Sequence, residues 1–162
     1  MIVLYAVFLS GFSIVLRKSN MEIVKYPDKR LLKVSRPVDL VQEYDFVQCL
    51  VEDMFSTMKG LWGNPVGLAA PQVGENVRLF IALGEVYVNP EITWESEAKD
   101  YHNEGCYSLE KGKYDYGVWR KQSIRLKWEG KAGRKFEKKF NGKTAQVIQH
   151  EYDHLQGKLC CG

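Results

Sequence analysis

Histidine and cysteine are scarce in this sequence of 162 residues, which contains three histidines and four cysteines. Two of the cysteines, Cys160 and Cys161, are adjacent, which is a poor geometry for an ordinary disulfide. The sequence also lacks the regular cysteine spacing of small secreted proteins that depend on disulfides. These absences exclude a disulfide-rich secreted domain, and we predict a reducing, cytoplasmic environment.

The sequence has no apolar run that reaches the ~20 residues of a membrane-spanning helix. Residues 1–16 are mostly apolar, but Arg17 and Lys18 follow this run, whereas a signal peptide carries its positive charge first. A more ordinary mixture of polar and apolar residues begins at Met21. We therefore predict an N-terminal extension over residues 1–20 and one folded domain over residues 21–162, with a membrane anchor at 1–20 as the alternative.

A strong excess of charge of one sign is also missing, because the formal net charge is only +3. Lysines cluster between residues 127 and 143, but acidic residues are mixed with them. This pattern favours a solvated strand surface over a nucleic-acid patch, and we predict no sequence-specific nucleic-acid partner. Apolar residues make up 45% of the chain, which is enough for a hydrophobic core.

Hydrophobic periodicity predicts two helices. Apolar residues, Val41 among them, recur at three- and four-residue spacing over residues 38–61 and predict one long N-terminal amphipathic helix. A second helix is predicted over residues 144–155, with Asn141 as its N-cap and Gly157 as its C-terminal stop.

Between the two predicted helices, composition indicates a loop and several strands. Residues 62–74 are rich in glycine and proline and predict a loop. Strands are predicted at residues 77–83, 86–89 and 124–128, the last of which alternates apolar and charged side chains. A partner for that strand is predicted around residues 136–140.

The sharpest motif is His-Glu-Tyr-Asp-His at residues 150–154, on the predicted second helix. Residues four apart lie on the same face of a helix, so the imidazoles of His150 and His154 can bind one cation. Glu151 then lies beside the cation and can accept a proton from a water molecule. The alternative is two surface histidines near a helix end, where the helix dipole favours them.

A catalytic site with this motif needs a third protein ligand and an open coordination position. Residues 155–162 contain no histidine or acid, so this ligand lies upstream or is a thiol of the C-terminal tail. Cys106 is the best candidate, because Gly105 lets the backbone approach a cation and a thiolate binds Zn²⁺ or Fe²⁺ well. The other candidates are Cys49, His102, Cys160 and Cys161.

Three segments, taken in order, resemble the peptide deformylase family. Gly-Leu-Ala-Ala-Pro-Gln at residues 67–72 is similar to the first family motif, Glu-Gly-Cys-Tyr-Ser at 104–108 to the second, and Gln-His-Glu-Tyr-Asp-His-Leu at 149–155 to the third. The resemblance implies an α+β fold, in which antiparallel and mixed β-sheets surround a central C-terminal metal-binding helix. It also implies an enzyme that removes the formyl group from the N-terminal formylmethionine of nascent polypeptides.

The resemblance implies that Cys106, His150 and His154 bind one divalent metal ion per chain, with water in the fourth position. In the family this ion is usually Fe²⁺, and Zn²⁺, Ni²⁺ or Co²⁺ can substitute, because the ligand set alone does not select among them. The implied partners are N-formylmethionyl nascent peptides and, transiently, the ribosome, and the implied enzyme is a monomer.

The catalytic roles also follow from the resemblance. Glu151 would act as general base toward the attacking water and then as general acid toward the leaving amine. The side-chain amide of Gln72 and the backbone N–H of Tyr107 would stabilise the developing oxyanion.

Four further residues are implied at the substrate. The backbone around Val66 and Gly67 would bind the peptide main chain as an added strand. Val66 and Val147 would line the pocket for the methionine side chain. Arg120 occupies the position of a family arginine and is assigned to substrate binding, with an ion pair on a strand as the alternative.

Three residues depart from the family pattern. Pro65 stands where the family often has a glycine, Tyr107 replaces a leucine and puts a phenol beside the metal, and Gln146 replaces an apolar pocket residue. The departures at Pro65 and Gln146 leave a catalytically silent relative that binds ribosomes or formyl peptides as an alternative. A metallopeptidase that cleaves internal peptide bonds is another, although Cys106 as third ligand argues against it.

Overall fold

Two α-helices and nine strands make up the regular structure of residues 4–7, 15–18, 20–110 and 116–161, which the computed structural model describes. In chain order they are β1 (Leu4–Val7), β2 (Val15–Lys18), α1 (Tyr44–Gly60), β3 (Gly67–Ala69), β4 (Leu79–Ala82), β5 (Glu85–Glu95), β6 (Lys99–Glu104), β7 (Tyr116–Lys121), β8 (Ser123–Glu129), β9 (Lys135–Asn141) and α2 (Gly142–Leu155). Short 3₁₀ helices cover Lys29–Leu32 and Ala70–Val73.

The strands form antiparallel sheets. Five of them pair in the order β3-β4-β5-β8-β9, and β6 pairs separately with β7. Strands β1 and β2 pair with each other. The predicted α+β class is therefore confirmed, with antiparallel sheets and a C-terminal helix.

Strand β4 explains how the two helices share one sheet. Its side chains alternate between the sheet faces, and all four are buried. Leu79 and Ile81 belong to the apolar cluster that includes the buried face of α1, whereas Phe80 and Ala82 belong to the cluster that includes α2. The helices therefore cover opposite faces of β4, which accounts for its unbroken apolar sequence.

The first helix is shorter than its periodicity predicts. It begins at Tyr44 rather than at residue 38, and Val41 from the predicted apolar face is 91% exposed. The Asp39 carboxylate accepts hydrogen bonds from the backbone N–H groups of Val41 and Gln42, so this stretch forms a turn that competes with helix.

The composition of the glycine- and proline-rich segment 62–74 predicts a loop, but the segment is only partly a loop. It contains β3 and a 3₁₀ helix, Ala70–Val73, both buried. Strands β6 and β7 were also not evident from periodicity, because β6 is mostly polar and partly exposed. Strand β3 and the 3₁₀ helix contain the first family motif, and the second motif begins at the end of β6.

The last helix lies close to its predicted bounds. Asn141 precedes it, but its side chain makes no capping hydrogen bond and accepts one from Ser123 Oγ instead. Gly157 has φ +68° and the N–H of Lys158 bonds the carbonyl of Asp153, a geometry that ends a helix.

The prediction for residues 1–20 lies largely outside the described residues. Only β1, β2 and residue 20 of that stretch are described, and the predicted extension stays a prediction. Within the described part of the chain, no helix has the length and apolar character to span a membrane.

Candidate metal centre

Helix α2 carries both predicted histidine ligands. His150 and His154 lie one turn apart, and their ring centroids are 5.1 Å from each other. His154 is fully buried and His150 nearly so, which follows from the position of α2 against the sheet. Two imidazoles on one helix face are thus available to one cation.

Cys106 lies two residues after β6 and meets the helix. Its Sγ is 3.4 Å from Nε2 of His154, and one donor atom from each of Cys106, His150 and His154 lies within 4.8 Å of the others. A tetrahedral ion with ordinary metal–sulfur and metal–nitrogen bonds separates such donors by about 3.5 Å. The donor set and its spacing therefore fit a divalent transition metal.

The other candidate ligands do not join this group. Among the described residues, the cluster of metal-binding side chains consists of Cys106, His150 and His154 alone. Cys49 lies on α1 and His102 on β6, and the tail thiols Cys160 and Cys161 do not join the cluster.

A buried carboxylate that the sequence did not single out orients His150. Glu104 Oε2 lies 2.8 Å from His150 Nδ1, so Nδ1 carries the proton and Nε2 faces the cation position. Arg120 donates to both oxygens of Glu104, at 2.9 and 2.7 Å, and Gln146 Nε2 donates to Oε1 at 3.1 Å. Arg120 also pairs with Asp153.

These contacts set the charge of Glu104. Burial raises the pKa of this carboxyl, but the hydrogen bonds from Arg120 and His150 outweigh burial and hold the pKa well below its usual value. Burial likewise lowers the pKa of Arg120, but Glu104 and Asp153 raise it above the ordinary value for arginine. Glu104 is therefore a fixed anion and Arg120 a fixed cation beside the site.

The two histidines have opposite electrostatic surroundings. Burial lowers the pKa of His150, but contacts with Cys106 and Glu104 raise it to about 10. Burial and the nearby His150 hold the pKa of His154 well below its usual value. Each ring binds a metal ion in its neutral form, and the hydrogen bond from His150 Nδ1 to Glu104 leaves Nε2 of His150 as the atom that would bind it.

Glu151 is buried beside these ligands. Burial raises the pKa of its carboxyl to about 7, and its Oε2 has no hydrogen-bond partner among the described residues. A Cβ atom placed on Gly67 would lie 2.3 Å from Glu151 Oε1, so the β3 backbone passes directly against the carboxyl. This close approach explains the glycine of the first motif.

Gln72 and Tyr107 approach the site from two other segments. Gln72 Oε1 accepts the backbone N–H of Ala69 at 2.9 Å, which turns Nε2 toward Cys106 Sγ, 3.4 Å away. The Tyr107 hydroxyl donates to the backbone carbonyl of Trp62, and Tyr107 also lines the cleft next to Cys106 and His150.

A cleft opens over the metal ligands. It is lined by predicted and unpredicted residues, including Val66, Gly67, Gln72, Gln146, Val147 and Glu151. Arg120 does not line this cleft, because its guanidinium is buried in ion pairs with Glu104 and Asp153. The structure therefore favours the ion-pair interpretation of Arg120 over substrate binding.

Comparisons with known proteins agree with this geometry. Residues 20–161 match the family model described as polypeptide deformylase. The chain is 40% identical over 146 residues to peptide deformylase 1 of Burkholderia multivorans, covering 86% of this chain and 77% of that protein.

Solved structures are similar as well. A peptide deformylase from Legionella pneumophila superposes with a TM-score of 0.77 at 38% identity, covering 86% of this chain and 83% of that one. A class I type b peptide deformylase from Acinetobacter baumannii, bound to Met-Ala-Ser, superposes with a TM-score of 0.79 at 29% identity, covering 86% and 95%.

Proposed function

The chain belongs to the polypeptide deformylase family, and we propose how its own residues carry out the family reaction. It is a metal-dependent hydrolase that removes the formyl group from the N-terminus of nascent polypeptides. The observation that carries the proposal is the meeting of Cys106, His150 and His154 beside the buried carboxyl of Glu151. A thiolate and two imidazoles leave a fourth position open in a tetrahedral site.

We propose that Cys106, His150 and His154 bind one divalent ion per chain and that Fe²⁺ is the native metal, with Zn²⁺, Ni²⁺ or Co²⁺ as substitutes. When bound, the ion supplies a Lewis acid for the formyl carbonyl and makes a water molecule more acidic. Glu104 keeps His150 in the tautomer that presents Nε2 to the ion.

Glu151 is the proposed proton carrier. Its carboxyl is buried next to the ligands, and a pKa of about 7 suits a group that gains and then loses a proton near neutral pH. It accepts a proton from the attacking water and delivers it to the departing peptide amine. Such proton transfer contributes roughly 10²- to 10⁴-fold to rate.

The developing oxyanion needs hydrogen-bond donors, and we assign this role to Gln72 Nε2 and the backbone N–H of Tyr107. The hydrogen bond from Ala69 N–H to Gln72 Oε1 supports the assignment, because it fixes which end of the amide faces the site. A donor of this kind is typically worth about 3 kcal/mol of barrier.

The edge of β3 is the proposed binding site for the peptide main chain. The Val66 carbonyl points toward β4, because it accepts a hydrogen bond from the backbone N–H of Leu83. Backbone polar groups of successive residues point to opposite sides of a strand, so the N–H and C=O of Gly67 face away from β4. Pro65 lies outside this edge. Val66 and Val147 on the cleft wall take part in binding the methionine side chain.

We further propose that residues 21–162 form one catalytic domain, with residues 1–20 as an extension of separate role. The proposed setting is the cytoplasm, where a monomer meets formylmethionyl peptides during brief contact with the ribosome. These assignments rest on the family and on the free thiols, because Cys49, Cys106, Cys160 and Cys161 form no disulfide.

A formate-release assay on formyl-Met-Ala-Ser, paired with metal analysis of protein purified without oxygen, tests the proposal. We expect formate release that requires about one metal ion per chain, with the highest activity in the Fe²⁺ form. Cleavage of internal peptide bonds without formate release would contradict the proposal, as would binding of the formyl peptide without turnover.

A further inference from the structure

The side chain of Tyr107 contacts the loop that leads into β3. Its hydroxyl donates a hydrogen bond to the backbone carbonyl of Trp62, and the two rings pack edge to face with centroids 5.7 Å apart. A Cβ placed on Gly63 would lie 3.6 Å from the same hydroxyl. The phenol thus reaches from the segment of the metal ligand Cys106 to the loop over residues 62–66.

The backbone around Tyr107 is bound by the segment that contains Lys25 and Tyr26. Lys25 Nζ donates to its carbonyl, and the N–H of Tyr26 bonds the carbonyl of Ser108 at 2.8 Å. The backbone N–H of Val24 likewise donates to the backbone carbonyl of Gln72, the residue assigned to oxyanion stabilisation. These hydrogen bonds therefore fix the backbone of Tyr107 relative to the cation site, and its side chain extends from there to the loop.

Two side chains of this loop are largely exposed to solvent. The side chains of Trp62 and Val66 are 54% and 53% exposed, so burial does little to fix them. Gly63 and Asn64 both have positive φ, +77° and +51°, and asparagine adopts this conformation at some cost. A loop of this kind samples several conformations unless a contact selects one.

We propose that Tyr107 is a positioning residue whose phenol fixes the loop over residues 62–66 and thereby holds the peptide-binding edge at Gly67 at a set distance from Cys106. Because Gly67 touches the Glu151 carboxyl, a small shift of the loop moves the substrate relative to the proton carrier. The proposal rests on the function given above and gives a role to a residue that departs from the leucine of the family motif.

The test replaces Tyr107 with phenylalanine, which removes only the hydroxyl, and with leucine, which also removes the ring. For formyl-Met-Ala-Ser we expect KM to rise about 3- to 10-fold in the phenylalanine variant, as expected for one lost hydrogen bond, and further in the leucine variant. The expected change in kcat is smaller than that in KM, because Glu151 and the metal ligands stay in place.

Hydrogen exchange of the amides in residues 61–66 provides a readout that does not depend on turnover. We expect faster exchange there in Tyr107→Phe, still faster exchange in Tyr107→Leu, and unchanged exchange in helix α2. Tyr44→Phe, at an exposed position at the start of α1, is the matched control and should leave KM and loop exchange unchanged.

Equal KM and equal loop exchange in wild type and both Tyr107 variants would overturn the proposal. A fall in kcat with unchanged KM would overturn it too, since that pattern indicates a direct role in the chemical step. Absence of formate release by the wild-type enzyme would instead contradict the proposed function, while the exchange experiment would still test the loop contact.

Discussion

Glu151 and Gly67 lie so close together that no methyl group fits between them. A Cβ on Gly67 would lie 2.3 Å from Oε1 and 2.7 Å from the carboxyl carbon of Glu151. Gly67 has no positive φ, so its backbone conformation alone is open to any residue. The requirement for glycine is therefore set by the carboxyl beside it.

Gly67→Ala should lower activity far more than stability. The end of the Glu151 side chain can move away from the new methyl group, but a displaced base costs on the order of 100-fold in kcat/KM. Tm should fall by only about 3 °C, which corresponds to about 1 kcal/mol in a chain of this size. Formate release and thermal unfolding are the measurements.

Gly84→Ala is the matched control for this substitution. Gly84 has φ +83° with no atom near the position of the added Cβ, so alanine there strains the backbone and leaves the site untouched. We expect lower Tm with full activity. If Gly67→Ala showed the same pattern as this control, the contact with Glu151 would have no catalytic importance.

Glu151→Ala should abolish turnover while the protein still binds metal. Removal of the proton carrier should lower kcat by about 10²- to 10⁴-fold, and the ligands Cys106, His150 and His154 remain. Metal content and formate release are measured on the same sample. Near-native rates on formyl-methionyl peptides would refute the assigned role, and Glu151→Gln separates loss of the base from loss of side-chain volume.

At the scale of elements, a polar stripe on α2 joins the helix to the β6–β7 ribbon. Gln146, His150 and Asp153 are spaced four and three residues apart and lie on one helix face. Gln146 and His150 contact Glu104 at the end of β6, and Asp153 contacts Arg120 on β7. Helix placement and ligand orientation therefore depend on the same ion pair.

Arg120→Met should destabilise the fold. Arg120 and Glu104 are 6% and 4% exposed, so removal of the arginine leaves a buried carboxylate without its main partner. The expected loss is about 3–5 kcal/mol of unfolding free energy, measured by urea denaturation. A stable variant with only a raised KM would instead support the substrate-binding role of Arg120.

The combined variant Arg120→Met with Glu104→Gln is the control for this effect. It removes the uncompensated charge together with its partner, so it should recover part of the lost stability. No recovery in the double variant would mean that packing of the arginine, rather than its charge, stabilises the ribbon.

For the whole molecule, the metal site connects parts of the chain that the hydrophobic core leaves separate. Cys106 belongs to a small cluster with Val24 and Leu31, whereas α2 packs in the cluster that includes Phe80. A bound ion would join these two clusters by coordinate bonds from Cys106 and from α2. Metal binding should therefore contribute to global stability as well as to catalysis.

Removal of the metal by a chelator should lower Tm. At a free metal concentration of 100 Kd, binding contributes about 2.7 kcal/mol, which corresponds to roughly 5–10 °C in a chain of this size. Calorimetry with and without chelator measures the shift. Cys106→Ser should unfold near the lower temperature in both conditions, and an unshifted wild-type Tm would contradict a stabilising metal.

Local sequence patterns predicted the elements that carry the site with uneven success. The second helix was predicted nearly to its ends, because apolar periodicity and a terminal glycine are local signals. The predicted start of α1 was wrong by six residues, because the apolar pattern does not reveal the competing turn at Asp39. Strand β6 was missed because its side chains are largely polar, and the short strand β7 was missed as well.

The sequence alone determined that His150 and His154 can share one cation with Glu151 beside them, since helix geometry makes residues four apart neighbours. Thiolate chemistry and the preceding glycine made Cys106 the best candidate for the third ligand, and the resemblance to the family motifs supported this choice and added Gln72. Only the tertiary structure decided that Glu104 and Arg120 hold His150 in place and that the phenol of Tyr107 reaches the loop at Trp62. These contacts join residues far apart in the chain, and their distances depend on how sheet and helices pack, which no local pattern encodes.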